Sequence, residues 1–113
     1  MKLIKYSQTN KFKNSDVCIA TEYPLNDKDI NIAVIKLKGR YPDKGSAINK
    51  KCKEMAYISK GKGQVTVNGL TKKLSKGDVV LIDKGEKYFW NGNMEMVMPC
   101  TPAWTHQQHS IVD

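Results

Sequence analysis

The sequence predicts an all-β protein built as a closed or nearly closed barrel. Short runs rich in Val, Ile and Tyr recur along the chain, and Gly, Asn or Asp residues separate them every six to ten residues from Gly39 onward. Long apolar segments at helical spacing are absent, and the only predicted helical turn covers residues 105–110. A barrel follows because closure removes the exposed edges of a sheet.

The predicted strands are short. They cover residues 17–22, 31–38, 55–59, 64–68, 70–74, 79–82, 87–90 and 94–98. Asn68-Gly69 favours a tight two-residue hairpin, because both residues accept positive φ angles. Glycines 61, 69, 77 and 85 recur every eight residues and are predicted to lie in turns between strands. The run 79–82 is apolar on both faces, which predicts one face in the barrel and the other against a second sheet or subunit.

Length and composition indicate one ordinary globular domain over residues 1–113, with 40% hydrophobic and 27% charged residues. No run approaches the roughly 18 apolar residues of a membrane span, and lysines interrupt the N-terminal segment before a signal peptide forms. Cys18, Cys52 and Cys100 are widely spaced and form no Cys-x-x-Cys pair. We therefore expect reduced thiols and a cytoplasmic protein.

The formal net charge is +8, and every basic residue except Arg40 is a lysine. Nucleic-acid binding usually relies on arginine forks and on aromatic residues among the basic ones, and neither is concentrated here. The charge is therefore interpreted as a lysine-rich solvated surface, and a nucleic-acid partner is not expected.

Two spaced motifs carry a resemblance to a known family. Glu54 is followed by six residues and Gly61, and Gly77 is followed by five residues, Asp83, Lys84 and Gly85, after which Tyr88 stands at a histidine position. From Tyr41 to Pro99 the chain thus resembles the cupins, small jelly-roll barrels whose motifs are G-x5-H-x-H-x3-4-E-x6-G and G-x5-P-x-G-x2-H-x3-N. The resemblance implies a single-domain cupin-type jelly roll with a barrel core at about 41–99, a C-terminal tail at 100–113, and a homodimer.

The resemblance also implies a metal site, which this sequence lacks. Cupin metal ligands are three histidines and the glutamate, but the paired histidines fall on Ala47 and Asn49, or on Ile48 and Lys50, and the third falls on Tyr88. A lone glutamate is a poor site for a transition metal, so no metal and no cofactor are expected. A rearranged metal site remains as an alternative, with ligands drawn from His106, His109, Cys52, Cys100 and Glu54.

The candidate site residues follow from strand alternation together with the resemblance to cupins. Alternation sends Tyr88 and Trp90 to one face, which the resemblance implies is the barrel interior, and Glu54 on a neighbouring strand would be the natural base or orienting carboxylate. Cys52 lies two residues before Glu54 on the same face, and Asn49 stands at a ligand position. Trp104 is predicted to cover the barrel mouth. The predicted ligand-binding residues are Asn49, Cys52, Glu54, Tyr88, Trp90 and Trp104, and the catalytic candidates are Glu54, Tyr88, His106 and His109.

These residues leave several functions open. The first is a metal-free cupin that binds a small molecule, such as a carbohydrate or a small acid. A second is an isomerase, epimerase or lyase that uses Glu54 and Tyr88, or one of the C-terminal histidines, as acid and base. The others are a metallo-cupin with rearranged ligands, and an interaction protein whose barrel is filled by Met55, Met94, Met96 and Met98. The sequence does not decide whether the protein is an enzyme.

Overall fold

The computed structural model describes residues 1–113 and forms one curled sheet of nine strands. No helix in it has the length and hydropathy that a membrane crossing requires. Two short 3-10 turns cover Tyr6–Gln8 and His106–Gln108. The strands are β1 (Asn10–Ser15), β2 (Cys18–Glu22), β3 (Asn31–Tyr41), β4 (Ser46–Asn49), β5 (Lys53–Val67), β6 (Leu70–Ser75), β7 (Val79–Ile82), β8 (Lys87–Thr101) and β9 (His109–Val112). The all-β prediction is confirmed.

Strand β8 is the centre of the sheet. It pairs antiparallel with β3 along one edge and with β5 along the other, and its first residues also pair with β4. Beyond β3 the sheet continues through β2 to β1, and beyond β4 it ends at β9. Strand β5 additionally pairs with β6 and β7. This topology brings residues from both ends of the chain to one barrel interior.

The core follows the alternation of β8. Every buried side chain on this strand is an even-numbered residue: Tyr88, Trp90, Met94, Met96, Met98 and Cys100. Leu37, Ile58 and Ile82 from other strands belong to the same core cluster of 13 buried residues. Three of the four methionines considered as barrel filling are therefore core residues, whereas Met55 is 41% exposed on the outer face.

Strands β5 and β8 are longer than predicted. The sequence predicts breaks at 60–63 and 91–93, but both strands run through these segments as 15-residue elements. The reason is local bending: the β5–β8 register shifts between Ile58 and Lys60, and Gly61 takes a φ of 79° inside the strand. Gly61 therefore bends a strand and does not form a turn. The glycines at 69, 77 and 85 do lie between strands.

Three strands are not predicted from the sequence, because their residues are polar or are flanked by turn residues. Strands β1, β4 and β9 were not expected, and β9 begins at His109, within the segment predicted as a helical turn. Only His106–Gln108 turns, as a single 3-10 turn. By contrast, the Asn68-Gly69 hairpin is confirmed, with φ angles of 47° and 83°.

The outer face of β7 is apolar and uncovered. Val79 and Leu81 are 57% and 55% exposed, and they pair directly with Tyr57 and Met55 on β5. No second sheet of this chain lies against these four residues, which we call the β5–β7 outer face.

Close backbone contact between β5 and β8 predicts that Gly92→Ala destabilises the fold. An added Cβ would overlap the Gly63 Cα, and Gly92 has a φ of 146°. We expect the free energy of unfolding to fall by about 2–4 kcal/mol, because steric overlap adds to backbone strain. Urea denaturation measures the loss.

Gly77→Ala is the matched control. Gly77 also has a positive φ, 94°, but an added Cβ would contact nothing within 4 Å. Its expected loss is only the backbone contribution, about 1 kcal/mol. Equal losses for the two variants would contradict the role assigned to the β5–β8 contact.

Candidate functional site

The barrel interior contains a cavity of about 110 Å³. Its walls come mainly from β2, β3 and β8, and they are largely apolar. Glu54 of β5 contributes a carboxyl group, and Trp104 and His109 contribute from the C-terminal segment. Met96 and Met98 line the cavity without filling it, so the interior is not completely packed. Trp104 and His109 of the C-terminal segment line the cavity and are partly exposed.

A hydrogen-bonded cluster occupies the positions of the cupin motif. The Asn49 side-chain nitrogen Nδ2 donates to Glu54 Oε1 at 3.0 Å and lies 3.4 Å from the Tyr88 hydroxyl. The Tyr88 hydroxyl also donates to Glu54 Oε1, at 3.4 Å. Asn49 ends β4, which pairs with β8 at Tyr88, and Glu54 lies on β5, which also pairs with β8. Glu54 Oε1 is thereby held by two donors, while Oε2 makes no hydrogen bond within the protein.

The other end of the Asn49 amide holds His109. Asn49 Oδ1 accepts from Gln108 Nε2 at 3.0 Å and lies 2.9 Å from His109 Nδ1. Because an amide oxygen only accepts, His109 Nδ1 carries the proton. In the neutral ring, Nε2 is then the acceptor, and it lies 3.5 Å from the Tyr41 hydroxyl. Asn49 thus fixes both the orientation and the tautomer of His109.

Burial shifts the titration of this cluster. It raises the pKa of Glu54 to about 7, although the hydrogen bonds from Asn49 and Tyr88 act in the opposite direction. Burial lowers the pKa of His109, and the charge of nearby His106 lowers it further. Burial also raises the pKa of Tyr41 to about 12 and that of Tyr88 well above 10. At neutral pH the cluster therefore contains three kinds of group. The Glu54 carboxyl is partly protonated, the His109 imidazole is neutral, and the phenols of Tyr41 and Tyr88 are neutral.

The structure places the predicted residues in three different settings. Glu54, Tyr88, Trp90, Trp104 and His109 line the cavity.

Asn49 is buried behind the cavity wall, where it positions other side chains, and His106 is exposed and packs its ring against Trp104 at 5.9 Å. Cys52 does not line the cavity: it precedes β5, its backbone N–H bonds to Gln108 Oε1 at 3.2 Å, and its Sγ lies 3.9 Å from the Ala103 carbonyl.

Two members of the hydrogen-bonded cluster were missed by sequence reasoning. Tyr41 ends β3 opposite Trp90, and its inward position follows from that pairing, which the predicted end of this strand at residue 38 concealed. Gln108 is 3% exposed and links Asn49 to the segment before β5. Nothing in the polar segment "THQQHS" distinguishes Gln108 from the exposed Gln107.

The residues present do not fit a cupin metal site. Ala47 and Asn49 face inward and therefore stand at the histidine positions, but an alanine and a hydrogen-bonded amide replace the imidazoles. The alternative set does not converge either, since no three His, Cys, Asp or Glu side chains form a metal-binding group. The rearranged metal site proposed from His106, His109, Cys52, Cys100 and Glu54 is therefore not formed.

Comparison with known proteins identifies the family. The sequence profile of the EutQ-like cupin domain matches residues 43–106, which is more than half of the chain. The chain belongs to this family. A search of curated proteins finds no match. The resemblance to the cupin family is thus confirmed.

Solved structures share the cupin fold. A variant of Streptomyces PAC13 with uridine has a TM-score of 0.89 at 18% identity, over 99% of this chain and 90% of the other. Pac13 is described as a nucleoside dehydratase. Ectoine synthase from P. lautus has a TM-score of 0.75 at 16% identity, over 100% and 91% of the two chains. Oxalate decarboxylase from Bacillus subtilis scores 0.82 at 17% identity, over 99% of this chain and 32% of its own. Identities this low show the fold alone.

The raised pKa of Glu54 predicts how the stability of this cupin depends on pH. The folded protein favours the protonated carboxyl, so this contribution is complete below the ordinary pKa of 4.5 and is lost as the pH rises through about 7. The loss is on the order of 3 kcal/mol. Glu54→Gln removes the titrating group, so unfolding free energies of both proteins between pH 4.5 and 8 isolate its effect.

We expect the free energy of unfolding of Glu54→Gln to increase relative to that of the wild type as the pH rises from 4.5 to 8. Other groups, His109 included, titrate in both proteins and cancel in the difference. A difference that stays constant between pH 4.5 and 8 would show that Glu54 keeps an ordinary pKa.

Proposed function

We propose that this cupin binds a small organic molecule in the barrel cavity and needs no metal ion to do so. The observation that carries the proposal is the cavity itself, which joins a carboxyl with a free oxygen to aromatic walls. Ligand sites are typically concave, mostly apolar and supplied with a few convergent polar groups. The amide-centred cluster in place of the metal ligands supports binding through hydrogen bonds and aromatic contacts.

The fixed position of Trp104 supports the proposal. Asn31 holds its backbone from both sides: the Trp104 N–H donates to Asn31 Oδ1 at 3.2 Å, and Asn31 Nδ2 lies 3.5 Å from the Trp104 carbonyl. The indole also packs against the His109 ring, with centroids 5.4 Å apart. A C-terminal segment that only covered the core would not need these backbone hydrogen bonds to Asn31. An indole ring that contacts a ligand does need a fixed position, because a preorganised ring reduces the entropy cost of binding.

Binding is tested with nuclear magnetic resonance on a library of small ring compounds. The only two tryptophans of the chain, Trp90 and Trp104, both line the cavity, so their indole N–H signals report occupancy directly. Ala33→Leu should fill the cavity and abolish binding, whereas Lys36→Ala, on the exposed side of β3, should leave it unchanged. Binding that survives Ala33→Leu would place the ligand elsewhere.

A second candidate function is acid–base catalysis, and one observation favours it. A single amide, Asn49, holds Glu54 and His109, and burial moves their pKa values in opposite directions, so that a protonated carboxyl and a neutral imidazole coexist near neutral pH. In an elimination or isomerisation, His109 Nε2 would accept a proton from carbon and Glu54 would donate one to oxygen. The fold shared with a nucleoside dehydratase is consistent with this candidate, by analogy only.

Two variants separate catalysis from binding. If the cavity is an active site, Glu54→Gln and His109→Asn should each reduce turnover of a bound compound at least about 100-fold while its affinity changes only a few-fold. If the protein only binds, the wild type turns over no bound compound, and Glu54→Gln changes only the affinity.

We also propose that the protein forms a homodimer through the β5–β7 outer face. Four neighbouring apolar side chains lie between 41% and 57% exposed there. Light scattering after size-exclusion chromatography should give twice the 12.8 kDa chain mass, and Leu81→Lys should give the monomer mass. Lys87→Glu on β8 is the control. A wild-type monomer would contradict the proposed homodimer.

The cytoplasmic location expected from the sequence stays a prediction.

A further inference from the structure

The cavity has the opposite charge character from the rest of the molecule. The chain carries 19 Lys and Arg residues and a net charge of +8, yet none of these side chains lines the cavity. Glu22 and Glu54 both do. A negative ligand would therefore enter a space that holds two carboxyl groups and no cation.

Neither cavity carboxyl group is paired with a cation of the protein. The only ion pairs are Lys13 with Asp16 and Lys53 with Asp83. The single arginine, Arg40, is held outside the cavity, where it bonds to the Gly45 carbonyl at 3.0 Å and lies 3.9 Å above the Phe89 ring. Glu54 Oε2 and the Glu22 carboxylate are thus acceptors with no partner from this chain.

Aromatic side chains line the same cavity as these two acceptors. Tyr23, Tyr41, Tyr88, Trp90 and Trp104 all line the same cavity. The faces of aromatic rings are electronegative and attract organic cations, most strongly where water is excluded. Carboxylates and ring faces favour the same sign of charge, so the two kinds of lining residue act together.

We infer that the ligand is a small organic cation, an ammonium group on a compact apolar body. The inference rests on the proposed binding function and names its ligand class. A cavity near 110 Å³ is somewhat smaller than an engineered one of about 150 Å³ that takes benzene, so the apolar body of the ligand has at most about six non-hydrogen atoms. The small acid considered from the sequence meets no positive group in the cavity.

The test compares compounds that have the same body and different charges. One series is cyclohexylammonium, cyclohexanol and cyclohexanecarboxylate, and a smaller series is isopropylammonium, isopropanol and isobutyrate. Binding is followed at pH 8 through the indole signals of Trp90 and Trp104. We expect the ammonium of at least one series to bind about 10-fold or more tightly than its alcohol, and the carboxylates not to bind.

Variants connect this preference to the two carboxyl groups. Glu54→Gln and Glu22→Gln should each reduce the advantage of the ammonium over the alcohol, to a few-fold or less in the first case. Glu95→Gln is the matched control, because Glu95 makes no side-chain contact to the cavity and lies on the outward side of β8. An advantage that survives both cavity variants unchanged would overturn the assignment.

The outcomes separate the two proposals. If the alcohol or the carboxylate binds as tightly as the ammonium, the cation inference is wrong while the binding function stands. If no compound of either series moves the tryptophan signals at concentrations up to solubility, the binding function proposed for the cavity fails as well.

Discussion

The buried amide of Asn49 is the interaction on which the rest of the site depends. Its nitrogen supplies both of its protons to Glu54 and Tyr88, and its oxygen accepts from Gln108 and His109, so that all four of its hydrogen-bonding positions are used. The side chain is 1% exposed, so an unused position would carry the full cost of desolvation. Asn49 therefore fixes the relative orientation of a carboxyl and an imidazole from two different strands.

Asn49 also stands where a cupin metal ligand would be expected, and this exchange changes what the barrel can do. An imidazole at that position would offer a lone pair to a metal ion, whereas the amide offers donors on one side and an acceptor on the other. The acceptor side holds the C-terminal segment, which reaches β4 through the pairing of Asn49 with His109. The Asn49 amide thus joins the C-terminal segment to the cavity residue Glu54 by hydrogen bonds.

The sequence allowed the fold and part of the site to be predicted, for identifiable physical reasons. Alternation along β8 places Tyr88 and Trp90 on one face, and the resemblance to the cupin motif identifies that face as the interior, which agrees with the burial of both side chains. The breaks predicted at 60–63 and 91–93 are wrong because glycine permits both a turn and a bend within a strand. Only the pairing of β5 with β8 decides between the two at Gly61 and Gly92.

Partners that lie far apart in the chain could not be predicted in the same way. Gln108 and Asn49 are 59 residues apart, and nothing local to either indicates that they meet. The histidines were recognised as candidates, but their spacing suggested one helical face, whereas a 3-10 turn followed by β9 buries His109 partly and leaves His106 exposed. The difference between the two is set by tertiary pairing.

The chemistry of Glu54 gives an argument for function that does not depend on any relative. Both of its donors, Asn49 Nδ2 and the Tyr88 hydroxyl, reach the same oxygen, Oε1. The neutral oxygen of a glutamine would satisfy them equally well, and it would avoid the cost that burial imposes on an ionised carboxyl. What a carboxyl adds is a second oxygen without a protein partner and a proton that is exchanged near neutral pH. Neither feature contributes to packing, and both are what a ligand or a proton-transfer step requires.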